Sequence, residues 1–171
     1  MIDRMPEIGF TIPADFVWSR VRLHLEDVAC GFRMGWLNRE GVVSLCLMAV
    51  REGVDDPLFQ ELAFLLRDEL FRVDEILGSR QADCRTSDRK AVWLYLSLAW
   101  LHENREKVNE PLEVVESLYS DFDHPEALEG FVRYMPAPAG VEVGEAAMFA
   151  RWRTYLDEQA ERYSWKEIEE L

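Results

Sequence analysis

The chain has 171 residues, with 33 acidic against 19 basic side chains and a formal net charge of −14. A chain this long can bury about 70% of its unfolded surface, so it needs neither disulfides nor metal to hold a core. Its 49% hydrophobic and 12% aromatic content excludes a disordered polymer. The acidic surplus argues against direct nucleic-acid binding, which draws on Lys and Arg to release phosphate counterions.

The opening stretch MIDRMPEIGFTIPADF carries Asp3, Pro6 and Glu7 where an export signal needs a basic start and an apolar run, so no such signal is expected. Apolar residues then recur three and four apart and strand patterns are nearly absent, which predicts an all-α fold. That fold is expected as one compact domain over residues 1–171, a multi-helix bundle or a set of stacked helical hairpins. A first helical zone is predicted from Ala14 to Met34, with Phe16, Val21, Leu25, Val28 and Phe32 facing inward. VWSRVRL also reads as alternating residues, which leaves room for a short extended piece before Leu25. Gly35 ends the zone.

Asn38 is the expected N-cap of a helix from Arg39 to Glu52. Asp56-Pro57 supplies a cap and a first turn together, and Leu62, Leu66, Leu70, Val73 and Leu77 then predict one amphipathic helix up to Gly78. Residues 79–88 are polar and aperiodic and form the principal loop. The next helix, from Asp88 to Arg105, is apolar around most of its circumference and reads as the hub. It contains the longest apolar run, 11 residues from Ala91 to Leu101 interrupted only by Ser97, which is short of the ~17–25 that span a membrane. Pro111 and Pro125 each open a further helix, the second containing Leu128, Phe131 and Val132. Residues 135–143, rich in Pro and Gly, connect to a last helix whose packing side is Phe149, Trp152, Tyr155 and Leu156.

Cys30, Cys46 and Cys84 are odd in number and form no CxxC pair, so they read as reduced thiols in a cytoplasmic protein. The negative charge is uneven. Residues 1–55 carry −2, residues 56–110 carry −3, and residues 111–171 carry −9. A field of that kind steers a basic partner, and elsewhere it simply keeps a protein soluble.

The densest polar cluster is SDFDHPEALEGFVRYMP, with Asp121, Asp123, His124 and Glu126 around a helix boundary. Carboxylate and imidazole groups can bind divalent cations, but this spacing matches no recognised ligand motif, and no metal or cofactor is expected. Alternatively, Asp121 and Asp123 cap the helix that follows Pro125. His24, His102 and His124 lack a persuasive catalytic partner set, and no nucleophile elbow or phosphate-binding loop is present. Of the six tryptophans, Trp93 and Trp100 read as core, whereas Trp36 and Trp165 are expected nearer the surface.

KAVWLYLSLAWLHENRE, PLEVVESLYSDFDHPEALEGFVRYMP and ARWRTYLDEQAERY, with the earlier GFRMGWLNREGVVSLCLMAVREG, resemble a bacterial domain-of-unknown-function family, number 2247. His124 stands where the resemblance implies an aromatic residue. Families of this small acidic type look like the immunity proteins that accompany polymorphic toxins. The expectation is therefore a non-enzymatic binder that occupies a toxin domain with a basic surface. Its contacts would be Asp121, Asp123, Glu126, Glu129, Arg133, Tyr134 and Trp36. Two alternatives stand beside it: a small enzyme with an acid/His site at residues 121–126, and a general protein-binding adaptor.

Overall fold

The computed structural model describes residues 11–79, 83–136 and 139–164. Among them the fold is all-α. The α-helices are α1 Ala14–Arg20, α2 Leu25–Arg33, α3 Arg39–Arg51, α4 Pro57–Ala63, α5 Arg72–Gly78, α6 Ser87–Glu103, α7 Pro111–Asp121 and α8 Glu145–Ser164. Two 3-10 helices, Arg67–Glu69 and Glu126–Phe131, complete the order. Tertiary contacts gather the chain into two compact units, the first ending at Trp93 and the second beginning at Leu94, within α6. The readings of the N-terminal ten residues and of Trp165 lie outside the described residues, as do parts of the 79–88 and 135–143 connections.

In the first unit α3 is the central element, touched by α1, α2, α4 and α5. Asn38 begins it as its sequence requires, its Oδ1 accepting from the Gly41 amide at 2.7 Å. Val42, Leu45, Cys46 and Ala49 are its buried face. The extended piece in the first helical zone is real. Val21 and His24 have β backbone geometry between α1 and α2, and Asp27 Oδ2 accepts from the His24 amide at 3.0 Å to open α2. Ala14 and Val17, rather than Phe16, are the buried residues of α1. Gly31 lets α2 approach Trp93 closely, since a Cβ there would lie 2.1 Å from the indole. The same indole donates from Nε1 to the Asp27 carbonyl at 2.9 Å.

The single helix expected from Pro57 to Leu77 is interrupted. α4 starts as anticipated, with Asp56 Oδ1 accepting from the Leu58 amide at 2.9 Å and Pro57 in the first turn. The helix stops at Ala63, and Leu66 turns extended (φ −81°, ψ 166°) before the chain re-enters helical geometry at Arg67. The Glu69 carboxylate fixes the break by accepting from the Leu66 amide at 2.9 Å, a local bond that satisfies the amide a continuous helix would have paired. Leu62, Val73 and Leu77 remain buried, while Leu66 leaves the expected stripe and is exposed.

Cys30 and Cys84 form a disulfide with Cα atoms 5.5 Å apart, which corrects the reading of three reduced thiols. Only Cys46 is free, buried in α3, and burial pushes its thiol up to about 12, with Asp56 adding to the shift. The spacing of 54 residues between the bonded cysteines carries no local signal of their meeting.

The second unit has the latter part of α6, α7, the Glu126–Phe131 helix and α8. The α6 segment from Val92 to Ala99 is buried at every position, including Ser97. α8 packs on the Glu126–Phe131 helix. Trp152 stacks against Phe131 at 6.0 Å and against Phe149 at 5.8 Å, and Tyr155 meets Phe131 at 5.7 Å. Full burial of such aromatic side chains is worth about 2–3 kcal/mol each. Arg151 donates to the Gly130 carbonyl and, at 2.8 Å, to the Glu142 carbonyl.

The disulfide closes a loop across most of the first unit. By the loop-closure relation, a separation of 54 residues corresponds to about 4 kcal/mol at most, and native disulfides typically contribute about 2–4 kcal/mol. Cys84→Ser is expected to lower urea stability by that range under oxidising conditions. Addition of reductant should bring the parent chain down to the variant and leave the variant unchanged.

Candidate functional site

α7 opens at Pro111 after Glu110, which takes left-handed geometry (φ 52°, ψ 63°), and buries Leu112, Val115, Leu118 and Tyr119. Its far end is closed by a paired set of backbone bonds. The Asp123 amide donates to the Ser120 carbonyl at 3.2 Å and the His124 amide to the Tyr119 carbonyl at 2.7 Å. These are the bonds of a Schellman ending. Asp123 and His124 both have positive φ, 61° and 59°, a geometry that Asp tolerates better than most residues. Pro125 follows and begins the 3-10 helix Glu126–Phe131 with no side-chain cap. Asp123 ends α7 through its backbone, and Asp121 belongs to the last turn of α7.

This ending places a small aromatic group among carboxylates. Tyr119 is buried, with the His124 ring edge-on at 4.8 Å and the Tyr134 ring at 6.0 Å. Burial raises the Tyr119 hydroxyl pKa, and Glu129 and then Tyr134 add to the shift. Asp121, Asp123, Glu126 and Glu129 are all exposed, and Tyr134 is 57% exposed. Tyr119 thus organises the cluster although its sequence pattern marks it only as core. Its position five residues before His124, spanning the helix end, is the available signal.

Arg133 has a different role from Tyr134. Its Nε donates to Glu116 Oε1 at 2.7 Å and its Nη2 to Glu116 Oε2 at 3.2 Å, with Glu113 and Glu110 carboxylates at 3.8 Å. This two-pronged bond raises its pKa and ties the segment after the 3-10 helix back to α7. Trp36, expected near the surface, is 1% exposed in the first unit, because its amide bonds the Gly31 carbonyl at 2.8 Å and its carbonyl receives the Ile12 amide at 2.8 Å. An indole so buried offers no contact surface.

Among the described residues no three His, Cys, Asp or Glu side chains converge as a metal ion requires. A groove of about 230 Å³ lies among Glu110, Pro111, Leu112, Glu145 and Phe149. It is below the ~300–1,000 Å³ of small-molecule sites. Chemically, the second unit offers carboxylates and aromatic faces, a combination that suits a cationic, partly apolar partner.

Asp123→Gly should stabilise the fold by about 1 kcal/mol, because glycine holds positive φ without the steric cost of a side chain. Asp123→Asn should leave stability nearly unchanged; urea unfolding of both variants checks this. His102 is 8% exposed, edge-on to Trp152 at 5.0 Å, and burial, then Arg105 and Arg153, hold its pKa below the ordinary value. The unfolded imidazole takes up its proton near pH ~6.5 and the folded one only at lower pH. The stability it contributes is therefore present above that value and is lost as pH falls through the folded pKa. His102→Gln should show a smaller drop in thermal midpoint between pH 7.5 and 5.5 than the parent chain.

No curated protein and no solved structure matches the chain. Residues 14–160 match the family described as "Uncharacterized protein conserved in bacteria (DUF2247)". That match covers the two units from the start of α1 to the last turns of α8, including the α7 ending and its acidic cluster, and the chain belongs to the DUF2247 family.

Proposed function

We propose that this chain is a non-enzymatic binding protein of the immunity type, which occupies a bacterial toxin domain through its acidic face. The observation that carries the reading is the end of α7, where Asp121, Asp123, Glu126 and Glu129 stand exposed around the aromatic group of Tyr119, His124 and Tyr134. Protein interfaces combine aromatic anchors with a polar rim, and complementary charge raises association rates by about 10- to 1000-fold. A toxin domain that acts on nucleic acid has a basic cleft, and this face competes for it. Arg133 supports the site from within by holding its segment on α7, and Tyr134 is the exposed anchor.

No helix among the described residues is long and apolar enough to cross a membrane. A cytoplasmic location belongs to this reading, and the Cys30–Cys84 bond stands against it, because disulfides persist mainly in oxidising compartments. The enzyme and adaptor readings rest on the same cluster. Metal binding and turnover abolished by Asp121→Ala and Asp123→Ala would favour the first, and binding of unrelated basic peptides with similar affinity would favour the second.

The test is co-expression with the adjacent gene product, reading complex formation and rescue of growth. With a toxic product, the combined charge reversal Asp121→Lys, Glu126→Lys and Glu129→Lys is expected to slow association at least about 10-fold at low salt and by much less at 0.5 M salt. A toxic product that is neither bound nor neutralised overturns the immunity reading for that pair.

A further inference from the structure

The interrupted helix of the first unit leaves three large apolar side chains in solvent: Phe64 at 65%, Leu66 at 64% and Phe71 at 60% exposure. Scattered exposed apolar residues are ordinary, but three within eight residues concentrate apolar surface on one short segment. The break that displays them is secured. The Glu69 carboxylate receives the Leu66 amide at 2.9 Å, and Arg72 pairs with Glu61 at 2.7 Å, joining α4 to α5 across it. Two extended steps and five of 3-10-like rise place Phe64 and Phe71 within about 17 Å of each other.

The surroundings are acidic. Residues 55–75 contain seven carboxylates against Arg67 and Arg72, a local net charge of −5, whereas residues 56–110 together total only −3. Asp74 is paired with Arg39 at 2.7 Å, whereas Asp68 and Glu75 have no ion pair among the described residues and are exposed. A second copy of this chain would bring the same negative rim, and −14 overall, against it. The complementary occupant carries apolar side chains flanked by Lys or Arg. One helical face with apolar residues at i, i+4, i+7 and i+11 covers about 17 Å, the reach of the segment.

We propose that the Phe64, Leu66 and Phe71 surface docks a basic amphipathic helix of a partner protein, with Asp68 and Glu75 meeting its cationic flanks. This surface belongs to the first unit and is independent of the acidic cluster at the end of α7, so failure of either reading leaves the other standing.

The test uses the full chain and a 20-residue Leu/Lys peptide designed as an amphipathic helix, with a scrambled peptide of identical composition as control. The parent chain is expected to bind the amphipathic peptide at least 10-fold more tightly than the scrambled one. Phe64→Ser with Phe71→Ser should abolish that preference, and Asp68→Lys with Glu75→Lys should weaken binding at low salt and much less at 0.5 M salt. The reversal Asp121→Lys with Glu126→Lys should leave the preference intact. Circular dichroism and urea midpoints establish that the variants fold, and Leu66→Gln serves in place of the double variant if that one does not. Equal binding of the two peptides, or a preference that survives the loss of the aromatic pair, overturns the proposal. So does a concentration-dependent dimer in sedimentation that the same aromatic variants dissolve, since a second copy would then be the occupant.

Discussion

Wherever a helix stops, its last carbonyls and first amides must find other partners, and the structure of this chain depends on how each break meets that requirement. Between α1 and α2 the His24 amide bonds the Asp27 carboxylate; after α4 the Leu66 amide bonds Glu69; after α7 the Asp123 and His124 amides turn back to Ser120 and Tyr119. Each solution is local; the first two use a carboxylate three residues on, and the third uses backbone groups alone. Part of the acidic surplus therefore serves the backbone as well as the surface. Both candidate interaction surfaces lie at such breaks, where a side chain is released from the inward stripe that a continuous helix would impose.

Packing then decides which residues these short elements bury. α1 and α4 have seven residues each, below the length at which an isolated helix holds itself together, so their stability comes from the face they lay on α3. Gly31 and Trp93 show how close that packing becomes, since the indole occupies the space a side chain on α2 would need. In the second unit the stacked rings of Phe131, Phe149 and Trp152 do comparable work, with buried His102 set edge-on to the same indole. A neutral imidazole suits that place because burial opposes its charged form.

Charge has two separate geographies. The C-terminal third holds −9 and displays exposed carboxylates around the end of α7, while residues 55–75 hold −5 around an exposed apolar segment. Most of the second concentration falls in the middle third, whose total is only −3 because basic residues between 80 and 90 partly offset it. Thirds of a sequence average over turns of structure, whereas a partner meets charge at distances of about one Debye length, ~8–10 Å.

Local chemistry made much of this fold legible in the sequence. The caps at Asn38 and Asp56, the prolines that open α7 and the element after Tyr119, the extended piece before Leu25 and the all-round apolar α6 all depend on residues a few positions apart, whose preferences act within one or two turns. The acidic cluster from Asp121 to Glu129 was equally visible as a cluster. Only the tertiary structure decided that Cys30 meets Cys84, that Trp36 is buried, that Arg133 is held by Glu116, and that the stripe from Leu62 to Leu77 breaks to release Leu66. In each of these the outcome turns on more than period and composition. The partners lie up to 54 residues apart, or a bond such as that between Glu69 and the Leu66 amide competes with the helix, and packing selects between the two.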